Sequence, residues 1–191
     1  MYNYQGKTLA QEDGFDQNIR RKYGAPFSDC HRVDLQQALV RRARSLGVSV
    51  VLNAKVVNID FGDGSGSKAR VTTSDSKIYT SDLVVGADGL WSTCRSTFLG
   101  RNDPPLPTGD LAYRIVLNIS QIKDEKLRNM VQTPACRFWA GPDAHVVAYS
   151  MRGGTMYNVV LLVPDDLDEG IARTRGDTEE MQKLFEGWDP V

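Results

Sequence analysis

The period of hydrophobic and polar positions changes several times along the chain, and each change marks an element. Tyr2 to Gln11 holds two short alternating runs about Gln5-Gly6-Lys7, the pattern of a small hairpin. Residues 12–25 are polar and glycine-containing, with no clear period. A helical period begins at Asp34: Leu35, Ala38, Leu39, Arg42, Ala43 and Leu46 fall on one stripe, and Arg41 and Arg44 on a solvated face. Asp34 suits the positive end of the helix dipole, and Gly47 supplies the stop. The run VSVVLN that follows, residues 48–53, predicts a strand buried on both faces, as in parallel sheets. Lys55–Phe61, Ala69–Thr73 and Lys77–Tyr79 then alternate with period two and predict a three-stranded antiparallel meander, with Gly62 to Ser67 as a flexible turn. A second strand apolar on both faces is expected in DLVVGADG, residues 82–89, followed by a short helix capped by Ser92 and ended by Gly100.

Residues 101–109 carry three of the eight prolines and form the best boundary. Beyond them, residues 111–119, 136–140, 144–150 and 156–163 predict an antiparallel sheet, its last two strands joined by the turn Met151 to Gly154. A helix is expected within residues 119–131 and a short amphipathic one within 177–187.

Composition narrows the function classes. With 23 Lys+Arg against 24 Asp+Glu, the net charge of −1 offers no field for nucleic acid or an anionic membrane. At 41% hydrophobic and 25% charged the chain of 191 residues is an ordinary globular sequence, neither disordered nor fibrous. No window approaches the roughly 18 apolar residues of a membrane span, and the N-terminus has no signal-peptide pattern, so an intracellular, cytoplasmic protein is expected. Cys30, Cys94 and Cys136 have neither zinc nor disulfide spacing, which predicts three free, mostly buried thiols and no metal site. His31 and His145 are the two histidines, and no Ser-His-Asp or Cys-His arrangement accompanies them.

The most informative string is DLVVGADGLWSTCR, residues 82–95. A strand ending in Gly86-Ala87-Asp88-Gly89 places a carboxylate at the carboxyl end of a sheet, where open α/β folds bind ligands, and its glycines let a backbone come close. Asp88 could accept from a ligand hydroxyl, or it could cap a tight strand-to-helix turn.

Five segments standing in order carry a wider resemblance. They are His31-Arg32-Val33-Asp34-Leu35, Val56 to Asp60, Gly86 to Gly89 with Ser92 and Arg95, Tyr113-Arg114, and Trp139 to Asp166. Across nearly its whole length the chain resembles the FAD-dependent aromatic hydroxylases, the class A flavoprotein monooxygenases of the salicylate hydroxylase kind. The resemblance implies an enzyme in which NAD(P)H reduces FAD and oxygen is transferred to a small, salicylate-like aromatic ring. It also implies that Arg32 lies along the FAD, that Val56 contacts its adenine end through the backbone, and that Asp88 and Gly89 organise the pyrophosphate region. Arg32 could instead cap the helix or pair with Asp34, and Val56 could be simple core.

The family's opening GxGxxG turn and its later GD-x-x-H segment have no counterpart here, so the chain is expected to be the central portion of such an enzyme. Its apolar strands would then need cover from a second copy or a complementing flank. The competing expectation is a flavin-free truncated relative acting as a binding or scaffold module, or as a cofactor-independent isomerase. For the substrate, Tyr113 and Arg114 are the catalytic candidates, Arg114 as a fork for an aromatic carboxylate or as a structural ion pair. The fold expected is mixed α/β. A partial Rossmann-like FAD-binding domain with a meander covers residues 1–107, an antiparallel substrate-domain sheet 108–164, and a return segment 165–191.

Overall fold

The computed structural model describes all residues except 63, 65, 169 and 172. The chain divides into two compact units, one of residues 1–38 with 109–191 and one of residues 39–108.

The first unit is built on a five-stranded sheet. Its strands are β1 (Tyr2–Asn3), β5 (Asp110–Asn118), β6 (Cys136–Gly141), β7 (Ala144–Met151) and β8 (Met156–Pro164), in the order β1-β6-β7-β8-β5. β1 runs parallel to β6 and every other pair is antiparallel. β8 lies between two partners, and its near-continuous apolar run, Val159 to Val163, is what a central strand with two covered faces requires. On one face Trp139, Ala148 and Tyr157 pack with Ile119 and with Val131 of helix α4 (Glu125–Gln132) to form the core. Asp124 caps α4, accepting from the Leu127 amide at 2.8 Å. Helix α5 (Thr178–Leu184) is capped by Asp177, which accepts from the Glu179 amide at 2.7 Å.

Beyond α5 the tail fastens onto the β1–β6 edge. The Asp189 amide donates to the Tyr4 carbonyl at 2.7 Å, the Asp189 carboxylate accepts from Trp139 Nε1 at 2.7 Å, and Trp188 packs edge-on against Tyr4. Gly141 makes this possible: a Cβ there would stand 2.6 Å from the Trp188 ring and 2.8 Å from Tyr4 Cβ.

The start of this unit holds the expected turn, with Thr8 bridging back to Tyr2. It also holds a helix the sequence did not announce, α1 (Phe15–Tyr23), flanked by left-handed Gly14 and Gly24. Helix α2 (Arg32–Ser45) follows the expected span, but its stripe is open: Leu35, Leu39 and Leu46 are all exposed.

The second unit contains the meander, β2 (Val56–Asp60), β3 (Ala69–Thr73) and β4 (Ile78–Ser81), and helix α3 (Thr93–Leu99). Residues 63 and 65 of the expected glycine-rich turn lie outside the described residues. Phe61 meets Phe98 of α3 edge-on at 6.2 Å, joining helix to meander. Two strand expectations fail here. Residues 48–53 and 82–89 form no ladder, because no described strand offers them backbone partners, and a lone extended segment cannot satisfy its own N–H and C=O groups. Their side chains stand in solvent, Leu52 at 71% exposure and Leu83 and Val85 at 76% each. The thiols differ from expectation too: all three are free, but Cys30 and Cys136 are exposed.

Candidate functional site

In the second unit the chemistry gathers at the turn from Gly86 to Arg95. Ser92 caps α3, accepting from the Arg95 amide at 2.9 Å, and its hydroxyl donates to Asp88 Oδ1 at 2.6 Å. Asp88 Oδ2 accepts from the Cys94 amide at 3.0 Å. The Cys94 amide and the Ser92 hydroxyl together hold the Asp88 carboxyl far below the usual carboxylate range, so it is ionised throughout the physiological range. Two glycines shape the turn for different reasons. A Cβ at Gly86 would stand 2.9 Å from Cys94 Cβ, whereas Gly89 has φ +74 and open space before it. Arg95 secures the far side, bonding the carbonyls of Leu90 and Asp103 and pairing with the Asp103 carboxylate at 3.0 Å. The result is a preorganised, exposed anionic turn with a bare backbone at Gly89. Val56 is half-buried at the start of β2, opposite Thr73 and next to a bulge, where the ladder is already interrupted.

In the first unit Arg32 opens α2 with an exposed side chain that makes no hydrogen bond or ion pair among the described residues. Asp34, two residues on, is gripped by Arg152 from the β7–β8 turn, which donates through Nε and Nη2, both at 2.7 Å. No sequence signal exists for that pair, 118 positions apart.

Tyr113 and Arg114 lie on opposite faces of β5, as alternation demands. Register carries Tyr113 across to Leu161, Val146 and Trp139 on the helix-covered face. There its ring packs on Gly176, and burial with the Glu180 carboxylate raises its phenol above the ordinary value. Arg114 stands with Val160, Val147 and Phe138 on the other face, exposed and without an ion-pair partner among the described residues. That face combines one guanidinium with apolar and aromatic neighbours, a surface suited to a planar acid. Asn158, which the sequence reading passed over, is buried on the same face with its Nδ2 unpartnered. A polar residue in an apolar strand was its only signal.

Taken unit by unit, the first offers at Arg32 a cation with no partner among the described residues, and the second offers at Gly89 a backbone open to close approach. No group of three or more acidic, histidine or cysteine side chains among the described residues could hold a metal.

Comparison with known proteins extends this. Residues 10–187 match the model of the FAD dependent oxidoreductase family. The chain is 48% identical over 187 residues to the FAD-dependent monooxygenase OpS4 of Beauveria bassiana (strain ARSEF 2860), covering 97% of this chain and 43% of that protein. It is 31% identical to the 3-hydroxybenzoate 6-hydroxylase of Polaromonas naphthalenivorans, covering 90% of this chain and 41% of that one. The chain thus spans under half the length of these relatives. Among solved structures, Klebsiella pneumoniae HpxO complexed with FAD and uric acid shares the fold at a TM-score of 0.71 and 19% identity, over 91% of this chain and 41% of its own. A salicylate hydroxylase substrate complex does so at 0.58 and 23%, over 83% and 41%. The mixed α/β fold and the family resemblance are therefore borne out: this chain belongs to the FAD dependent oxidoreductase family, among relatives that are FAD-dependent monooxygenases and aromatic hydroxylases.

Proposed function

We propose that this chain is part of an FAD- and NAD(P)H-dependent monooxygenase that hydroxylates a small aromatic acid. The observation that carries the reading is the match to a named FAD-dependent monooxygenase over 97% of the chain, which takes in both the Asp88 turn and the Arg114 sheet. FAD, once reduced by NAD(P)H, supplies the oxygen-transfer chemistry. The protein's own task is to bind, orient and exclude water. In this reading Arg32 holds a phosphate through its unpaired guanidinium, and the Gly89 backbone admits the pyrophosphate region. Val56 meets the adenine end through its backbone. Asp88, fixed by Ser92 and Cys94, keeps the turn rigid and repels a misplaced phosphate. Arg114 receives the substrate carboxylate on a face with Val147, Val160 and Phe138 beneath the ring. Tyr113, on the other face, supports the return segment at Glu180 rather than the substrate. No helix among the described residues is long and apolar enough to cross a membrane, and we place the enzyme in the cytoplasm.

The test is a pair of titrations on this chain. Arg32→Ala is expected to weaken FAD binding by about 1 to 3 kcal/mol, the worth of one charge-assisted hydrogen bond. Arg114→Ala is expected to weaken 3-hydroxybenzoate binding and leave FAD untouched. An Arg32 variant with full flavin affinity would remove that residue from the site.

A further inference from the structure

Beneath the Trp139 face of the five-stranded sheet, on the side away from Arg114, lies a cavity of about 240 Å³ that the proposed reaction does not use. An apolar cavity of roughly 150 Å³ already holds a benzene ring. Trp139, Tyr157, Phe185 and Trp188 line it with aromatic surface, and Leu127 and Met130 of α4 close one side.

Arg137 does not itself line this cavity but stands behind its wall, paired across the ladder with the lining residue Ala148. Its Nη2 donates to the Met130 carbonyl at 2.9 Å, and its Nη1 is buried with no partner. The Tyr157 hydroxyl, buried beside this guanidinium, likewise has no hydrogen-bond partner. No carboxylate pairs with Arg137 among the described residues. Asp189, on the cavity wall, is committed elsewhere, with Oδ2 accepting from Trp139 Nε1 and Oδ1 from the Val191 amide. A guanidinium lacking a counter-ion and a phenol lacking an acceptor each leave a desolvation cost uncompensated. One carboxylate inserted between them satisfies both, and the planar fork of arginine is shaped for it.

We propose that this cavity is a binding site for a single-ring aromatic carboxylate, separate from the Arg114 face. The ring lies against Trp139 and Trp188 and the carboxylate bridges Arg137 Nη1 and the Tyr157 hydroxyl. Both atoms are closed to solvent, so entry moves the two side chains apart by a small rotation. The site does not depend on flavin, and its test needs none.

Benzoate titrated into the 191-residue chain, followed by the NMR signal of the Trp139 indole N–H, reads this cavity directly. The expected result is a saturable shift that weakens about tenfold in Tyr157→Phe, which removes one hydroxyl and leaves the ring packing in place. Arg137→Met is expected to weaken it further, while toluene, which lacks the carboxylate, gives the same weak response in all three proteins. A Trp139 signal that benzoate does not move would overturn the proposal, as would equal responses to benzoate and toluene in the unsubstituted chain. A benzoate response that follows Arg114→Ala instead of Tyr157→Phe would overturn it too, by assigning the ligand to the other face.

Discussion

Asp88 accepts from a hydroxyl and an amide supplied by its own turn, Ser92 and Cys94, so its charge is held by local geometry rather than by a distant partner. Its carboxyl is depressed, and the sign follows: the stabilising contribution is present above the unfolded carboxyl value of about 3.9 and is lost only as pH falls through the lower folded value. Asp75, pulled down to about 2 by Lys77 and Thr73, behaves alike at the β3–β4 turn. Acidification from pH 7 to 4 should therefore leave the Cys94 amide NMR shift unchanged; a titration centred near pH 4 would show that the Asp88 bonds are absent. Ser92→Ala removes both the helix cap and one Asp88 donor, and should cost about 1 kcal/mol or more of local stability, read as faster amide exchange in α3. At this scale the sequence was a fair guide. Ser92, Gly100 and the Asp88 turn are local devices, decided within a few residues, and they stand where the motif puts them. The bidentate Asp34–Arg152 pair and the buried Asn158 were not legible, because each depends on chain segments brought together only by the sheet.

Elements divide in the same way. The meander and the strands β5 to β8 were readable because their alternation is satisfied by neighbours in this chain. Residues 48–53 and 82–89 have an equally apolar pattern and no described ladder, since pattern states a need for partners and cannot supply them. Helix α1 was missed because its glycine neighbours, Gly14 and Gly24, mark its ends rather than a loop. The tail is held by aromatic packing for which Gly141 leaves room, so Gly141→Ala should lower stability by about 1 to 3 kcal/mol, an overpacking cost. Thermal melting checks this, and an unchanged melting temperature would mean that Trp188 does not rest on β6. The Asp34–Arg152 pair, at 44% and 43% side-chain exposure, should contribute no more than about 1 kcal/mol, and Arg152→Ala should melt only slightly earlier.

For the whole molecule the dominant fact is apolar surface without cover. Leu35, Leu39, Leu52, Leu83 and Val85 are exposed in a chain that spans under half the length of its relatives. Exposed apolar surface on this scale favours association. The isolated chain should self-associate, and sedimentation at micromolar concentration should show species larger than monomer; a clean monomer would mean the segments fold back on themselves. The central claim, that this chain is part of a flavin-dependent enzyme, is tested most directly by the visible spectrum of the purified chain after mixing with excess FAD and desalting. The account predicts retained flavin absorbance, diminished in Arg32→Ala. A colourless protein would contradict it.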